Sequence, residues 1–165
     1  MAAGRFLKHL FLPAWLARTS FPPRTLKRIE EAIKTSEQEH DGELRFVVES
    51  VLPLHYLFGG RASRRRAEDL FAQLKVWDTE HNSGVLVYVQ LVSRHIDIIA
   101  DRGIAAKVEQ REWDAVCRSM ERSFKQRQFE QGALDAIESV TAILARHFPP
   151  GATHPNELPD KPAVL

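Results

Sequence analysis

Two short stretches of this chain set carboxylates, imidazoles and an amide beside strand-like runs. The first is Trp77-Asp78-Thr79-Glu80-His81-Asn82-Ser83-Gly84, which feeds the apolar run Val85-Leu86-Val87-Tyr88-Val89. The second is His95-Ile96-Asp97-Ile98-Ile99-Ala100-Asp101-Arg102-Gly103-Ile104. Carboxylate, amide and carbonyl oxygens are the donors that hard cations such as Ca2+ and Mg2+ take. Clustered acids can also share a proton and act as a general acid/base pair. The plainer reading makes them turn and capping residues, with Asp41 and Asp78 bonding backbone N–H groups and Gly103 supplying a positive φ. Which chemistry applies depends on where the fold brings the loops.

The periodicity of apolar residues predicts a helix over residues 24–39, buried through Leu26, Ile29, Ala32 and Ile33, and then a strand over 44–51. An apolar loop over 53–60 carries His55, Tyr56 and Phe58, and a helix over 63–77 turns Ala67, Leu70, Phe71 and Leu74 inward. Strands over 84–92 and 95–100, separated by Ser93-Arg94, predict an antiparallel hairpin. Helices over 110–125 and 129–147 follow. This order predicts the α/β class, as a three-layer α/β/α sandwich around a small mixed β-sheet containing the β-hairpin. Residues 1–22 read as an N-terminal amphipathic arm with a short helix over 6–16, residues 23–149 as the α/β domain, and residues 150–165, with Pro150, Pro155, Pro159 and Pro162, as a disordered tail.

The strand–helix–strand unit makes the strands at Leu44 and Val85 parallel, and the hairpin reverses the third. The starts of the first two and the end of the third therefore share one edge of the sheet. That edge collects His40, Asp41 and Glu43, then Asp78, Glu80, His81 and Asn82, then Asp101 and Arg102. The opposite edge holds a sparser set, Glu49, His55, Ser93 and Arg94. From the crowded edge the candidate metal ligands are Glu43, Asp78, Asn82 and Asp101, with Ca2+ or Mg2+ as the ion. Glu43 and Asp101 would be ligands, Asp78 a ligand or an acceptor behind one, and Asn82 a neutral oxygen donor. Arg102 and the histidines oppose a bound divalent ion unless they point away. No catalytic residue stands out.

Several classes are excluded or disfavoured. A net charge of +1 argues against binding nucleic acid through phosphate neutralisation. The one cysteine, Cys117, rules out an internal disulfide, fits a reducing compartment, and sits at helical spacing from Trp113 and Met120 as a buried thiol would. The seven histidines include no i, i+4 pair of a zinc helix, and there is no P-loop, dinucleotide fingerprint or nucleophile elbow. Ser63-Arg64-Arg65-Arg66 puts positive charge at a helix start that is already partly positive; solvated arginines reaching outward are expected there in preference to a bound anion. No run approaches the roughly 20 apolar residues of a membrane span, which leaves a weak peripheral membrane contact. The run Leu10-Phe11-Leu12-Pro13-Ala14 after Arg5 and Lys8 is short and broken for a secretory signal, so a cytoplasmic location is expected, with export the minor alternative.

Asn82-Ser83-Gly84-Val85-Leu86 and Asp101-Arg102-Gly103-Ile104-Ala105, with the helices around the hairpin, resemble the TPM domain family, named after a thylakoid lumen protein, a photosystem II repair protein and a receptor modulator. The resemblance spans residues 26–148. Trp77-Asp78-Thr79-Glu80 and Ala100-Asp101-Arg102-Gly103-Ile104 are similar to a proteobacterial soluble branch of it. The resemblance implies the α/β/α sandwich and, in some members, divalent-cation binding in a crevice at the strand edge; an acid phosphatase activity has been proposed for plant members. The chain departs from the family pattern at three positions. Asn82 stands where an acid is common, Asp101 replaces a Gly, and Ala105 replaces a Glu. The functional expectation is a binding module for a divalent cation and/or a partner protein, reached through the sheet edge or the N-terminal arm. The alternatives are a metal-dependent acid phosphatase-type phosphoric-ester hydrolase, with Arg102 stabilising the phosphate, and a structural scaffold.

Overall fold

The computed structural model describes residues 15–56, 62–151 and 155–165. The expected arm helix over 6–16 falls mostly outside these residues, as does the end of the apolar loop with Phe58, Gly59 and Gly60. The elements run α1 (Trp15–Ser20), α2 (Pro23–Ser36), β1 (Glu43–Glu49), a 3-10 turn (Leu54–Tyr56), α3 (Ala62–Gln73), β2 (Gly84–Gln90), β3 (His95–Ala100), α4 (Arg102–Ala105), α5 (Gln110–Lys125), α6 (Phe129–His147) and β4 (Ala163–Val164). The chain is an α/β protein built on one mixed sheet of order β3-β2-β1-β4. β1 and β2 are parallel from Glu43↔Gly84 onward, and β2 and β3 are antiparallel from Val85↔Ala100 to Gln90↔His95, as the strand directions derived from the sequence require.

Strand alternation divides the core. Leu44, Phe46, Val48, Val85, Val87, Val89, Ile96 and Ile98 pack with Ile29 and Ile33 of α2, Trp113, Met120 and Phe124 of α5, and Ile137, Val140 and Leu144 of α6. The other face, through Val47, Leu86, Tyr88 and Ile99, meets Ala67 and Leu70 of α3 and Leu158 of the C-terminal segment. A one-residue slip would move every one of these side chains to the wrong face, so the register is fixed by the core.

Two expectations change. Residues 155–165 do not form a disordered tail. Leu158 and Pro162 are buried, and β4 adds a strand parallel to β1 at Val47↔Ala163 and Val48↔Val164. Prolines at Pro159 and Pro162 suit a short edge strand that needs few donors. Helix α3 ends at Gln73, short of Trp77, because Lys75 turns left-handed at φ 54. The amide of Lys75 then bonds Ala72 O and that of Val76 bonds Phe71 O, satisfying the last carbonyls, and buried Val76 locks the turn.

Candidate functional site

The three polar loops meet where β1 and β2 begin and β3 ends. The amide of Glu43 donates to Ser83 O at 3.0 Å, and that of Asp101 to Gly84 O at 2.8 Å. Gly84 must be glycine, since a Cβ would lie 1.9 Å from Val76 O. Gly103 serves by close approach, not by the positive φ expected from sequence. It lies in α4, and a Cβ there would come within 2.6 Å of Asn82 O and 2.8 Å of His81 O. The left-handed residue in this loop is Asn82, at φ 52.

The four expected ligands are held in separate ways. Glu43 is fully buried on the face that α3 and the C-terminal segment cover, and its Oε2 accepts from Leu158 N at 2.9 Å. Asp78 is exposed, with its amide on Lys75 O. Asn82 Oδ1 accepts from Arg102 Nε at 2.8 Å, which occupies the oxygen offered as a neutral donor. Asp101 caps α4, its Oδ1 accepting from Arg102 N at 2.7 Å. Among the described residues no three His, Cys, Asp or Glu side chains are arranged to hold one ion. Glu43, Asp78 and Asp101 belong to no such group, and the contacts given for each are to different parts of the chain.

What the edge does hold is a pair of unsatisfied oxygens. Asp101 is 9% exposed and Ser83 1% exposed, and neither Asp101 Oδ2 nor Ser83 Oγ has a hydrogen-bond partner among the described residues. A buried oxygen without a partner costs about 1–3 kcal/mol, more when charged. Both flank Gly84, one by sequence and one by the Asp101–Gly84 bond.

His40 and Asp41, also at this edge, make structural contacts. His40 is fully buried; its Nδ1 accepts from Gly42 N, its Nε2 lies 2.9 Å from Ser36 Oγ, and Ser36 Oγ lies 2.6 Å from Thr141 Oγ1. The Nδ1 contact leaves Nε2 as the donor to Ser36, so the imidazole ties α2 to α6. Asp41 accepts from Gly151 N, the loop role expected for it. Glu80 N donates to the Glu157 carboxylate.

The opposite edge is not the sparser one. Glu49 is 3% exposed and takes Arg66 Nε on both oxygens at 3.1 Å and Nη2 at 2.7 Å. Tyr88 Oη donates to Glu49 Oε2 at 2.5 Å, while burial, then the Glu49 charge and hydrogen bond, push the phenol well above its usual range. Ser63 Oγ donates to Asp97 Oδ2 at 2.6 Å, and Arg64 Nη1 to Ile98 O at 2.8 Å. The outward, solvated arginines expected at this helix start are thus in part inward anchors. The missed signal was a tyrosine in the apolar run of β2 and a lone Asp97 in β3; pairing places one beside the other on the face that α3 covers. Cys117 is half-buried, and burial, followed by the charges of Asp97, Asp114 and Glu121, pushes its thiol up to about 12. It is protonated at neutral pH and is no nucleophile.

This strand order and hairpin, with the edge loop closing on Gly84 and Gly103, agree with the family comparison: the TPM domain model matches residues 19–143. The chain belongs to the TPM domain family. Its fold is also similar to the NMR structure of the BA42 protein from the psychrophilic bacterium Bizionia argentinensis. The two share 31% identity and a TM-score of 0.75 over 86% of this chain and 93% of that one. No curated protein matches the sequence significantly. No helix among the described residues is long and apolar enough to cross a membrane.

Proposed function

We propose that this TPM domain is a binding module that takes a divalent cation, Ca2+ or Mg2+, at the edge where β1 and β2 begin. The observation that carries this reading is the pair of buried, unpartnered oxygens, Asp101 Oδ2 and Ser83 Oγ. A carboxylate and a hydroxyl are hard oxygen donors, and backbone carbonyls and waters complete such sites in proteins. The reading moves the centre of the expected set. Asp101 stays, Ser83 enters, Asn82 stays bound to Arg102, and Glu43 stays under the C-terminal segment. Placement in the proteobacterial soluble branch rests on the Trp77–Glu80 and Ala100–Ile104 wording and is part of the same proposal.

Binding to the folded state raises the melting temperature by linkage. Millimolar Ca2+ or Mg2+ is expected to raise Tm by several degrees, against an equal ionic strength of NaCl, and Asp101→Asn is expected to abolish the shift while keeping the cap of α4. A shift that persists in Asp101→Asn and in Ser83→Ala would place the cation elsewhere. The hydrolase alternative needs Arg102 for phosphate, whereas its guanidinium is tied to Asn82. Metal-dependent turnover of p-nitrophenyl phosphate, lost in Asp101→Asn, would restore that alternative.

A further inference from the structure

On the far side of the domain, α1, the β2–β3 turn and the α5–α6 turn enclose a groove of about 800 Å3. Its walls are Trp15, Leu91, Val92 and Phe129, its charges are Arg94 and Arg127, and no acid among the described residues lines it. Trp15 is 55% exposed although α1 itself is firmly seated. Ala17 N donates to Ser50 Oγ, Ala17 is buried, and Phe21 packs among Phe46, Phe124 and Phe129. Neither Arg94 nor Arg127 makes an ion pair among the described residues. Glu130, the acid nearest the groove in sequence, is turned to Thr25 and Arg28.

Both arginines occupy backbone positions that disfavour them. Arg94 has φ 51 and Arg127 φ 61, in the left-handed region. Arg127 N bonds Phe124 O and Gln128 N bonds Ser123 O, which makes Arg127 the residue just past a helix end where glycine is the usual occupant. Arg94 closes the hairpin turn at a position with the same preference. Two unrelated turns thus carry a strained arginine each, and both open on one apolar groove. Lys75 ends α3 with the same backbone geometry, so what sets Arg94 and Arg127 apart is that both line one groove and carry its charge.

We propose that this face docks on an anionic phospholipid membrane, with Arg94 and Arg127 taking lipid phosphates and Trp15 entering the interfacial layer. Tryptophan favours that layer, and arginine beside an apolar surface gains from anionic headgroups. A membrane suits the surface better than a small soluble anion because the same chemistry continues in the sequence leading into Trp15, with Arg5 and Lys8 among Phe6, Leu10 and Phe11.

Sedimentation of the full chain with vesicles tests the proposal. Binding is expected to vesicles of phosphatidylcholine with one quarter phosphatidylglycerol, not to phosphatidylcholine alone, and to weaken as salt rises. Arg94→Gly and Arg127→Gly are each expected to reduce partitioning about fivefold, and together roughly 30-fold. Their melting temperatures should be unchanged or higher, since glycine relieves the left-handed backbone. Equal partitioning by the double glycine variant, binding indifferent to lipid charge, or no vesicle binding would each overturn it; in the last case a protein partner would be the better occupant.

Discussion

Arg66→Ala is expected to destabilise the domain by about 3–5 kcal/mol, because it leaves a buried carboxylate without its cation. Domains of this size are stable by only about 5–15 kcal/mol, so the variant should sit near the edge of folding. The cost follows from geometry and burial together. The Arg66 and Glu49 side chains are 13% and 4% exposed, and the guanidinium reaches the carboxylate through both Nε and Nη2. Arg66 also lies over the Tyr56 ring, 5.5 Å from its centroid, and Tyr56 Oη donates to Asp69. Removing the arginine therefore loosens the attachment of α3 to the sheet as well as the pair itself. Lysine at 66 should recover only part of the loss, since an ammonium cannot reproduce the forked contact. The pair Glu49→Gln with Arg66→Met should come close to the parent, because it removes the charge and its partner at once. Urea unfolding of the four proteins decides it. A cost below about 1 kcal/mol for Arg66→Ala would mean that the contact behaves like an exposed ion pair.

That network shows what the sequence conveyed and what it withheld. The strand directions were legible because a strand–helix–strand unit admits one handedness, and from them came the edge that Glu43, Asn82 and Asp101 share; the unpartnered Ser83 hydroxyl there came only from the structure. The main core was legible because Ile29, Ile33, Trp113 and Met120 repeat at helical spacing. Ligand assignment was not, because spacing locates a loop but not the partner of each oxygen. Asn82 meets Arg102, twenty residues on, and Glu43 meets Leu158 in a segment whose prolines suggested disorder. Arg66 read as surface because charge at a helix start is usually solvated; only the pairing of β1, β2 and β3 shows that Glu49, Tyr88 and Asp97 lie beneath it. The arginines at 94 and 127 gave no signal, since left-handed backbone at a non-glycine residue has no sequence mark.

Glu37→Gln is expected to stabilise the protein above neutral pH and to flatten its stability between about pH 4.5 and 8. Glu37 lies at the end of α2, half-buried, with Oε1 accepting from Leu44 N at 2.9 Å. Burial pushes its carboxyl up to about 8; the Leu44 N–H opposes this, while the charges of Glu43 and Asp160 and a hydrogen bond to Asp160 add to it. The folded protein therefore keeps a proton that the unfolded chain releases near the ordinary value of 4.5. Stability from this group is fully present below about 4.5, falls as pH rises toward 8, and levels off beyond it. The span corresponds to about 3–5 kcal/mol, on the low side for a group that is not fully buried. Glutamine keeps the acceptor for Leu44 and offers Asp160 an N–H in place of the acid proton. At pH 8.5 its Tm should exceed the parent's by roughly 5–10 °C, and the two should converge near pH 4.5. Every other ionisable group is common to both proteins, so the difference between the curves isolates Glu37. Parallel curves would refute the assignment. The segment that answers to this proton is also defined: Asp160 belongs to the stretch that brings Leu158 to Glu43 and β4 to β1. Raising the pH through 8 should therefore loosen residues 155–165, visible as amide protection at Leu165 and Leu158, corrected for the intrinsic rise of exchange with pH, that falls in the parent and holds in Glu37→Gln.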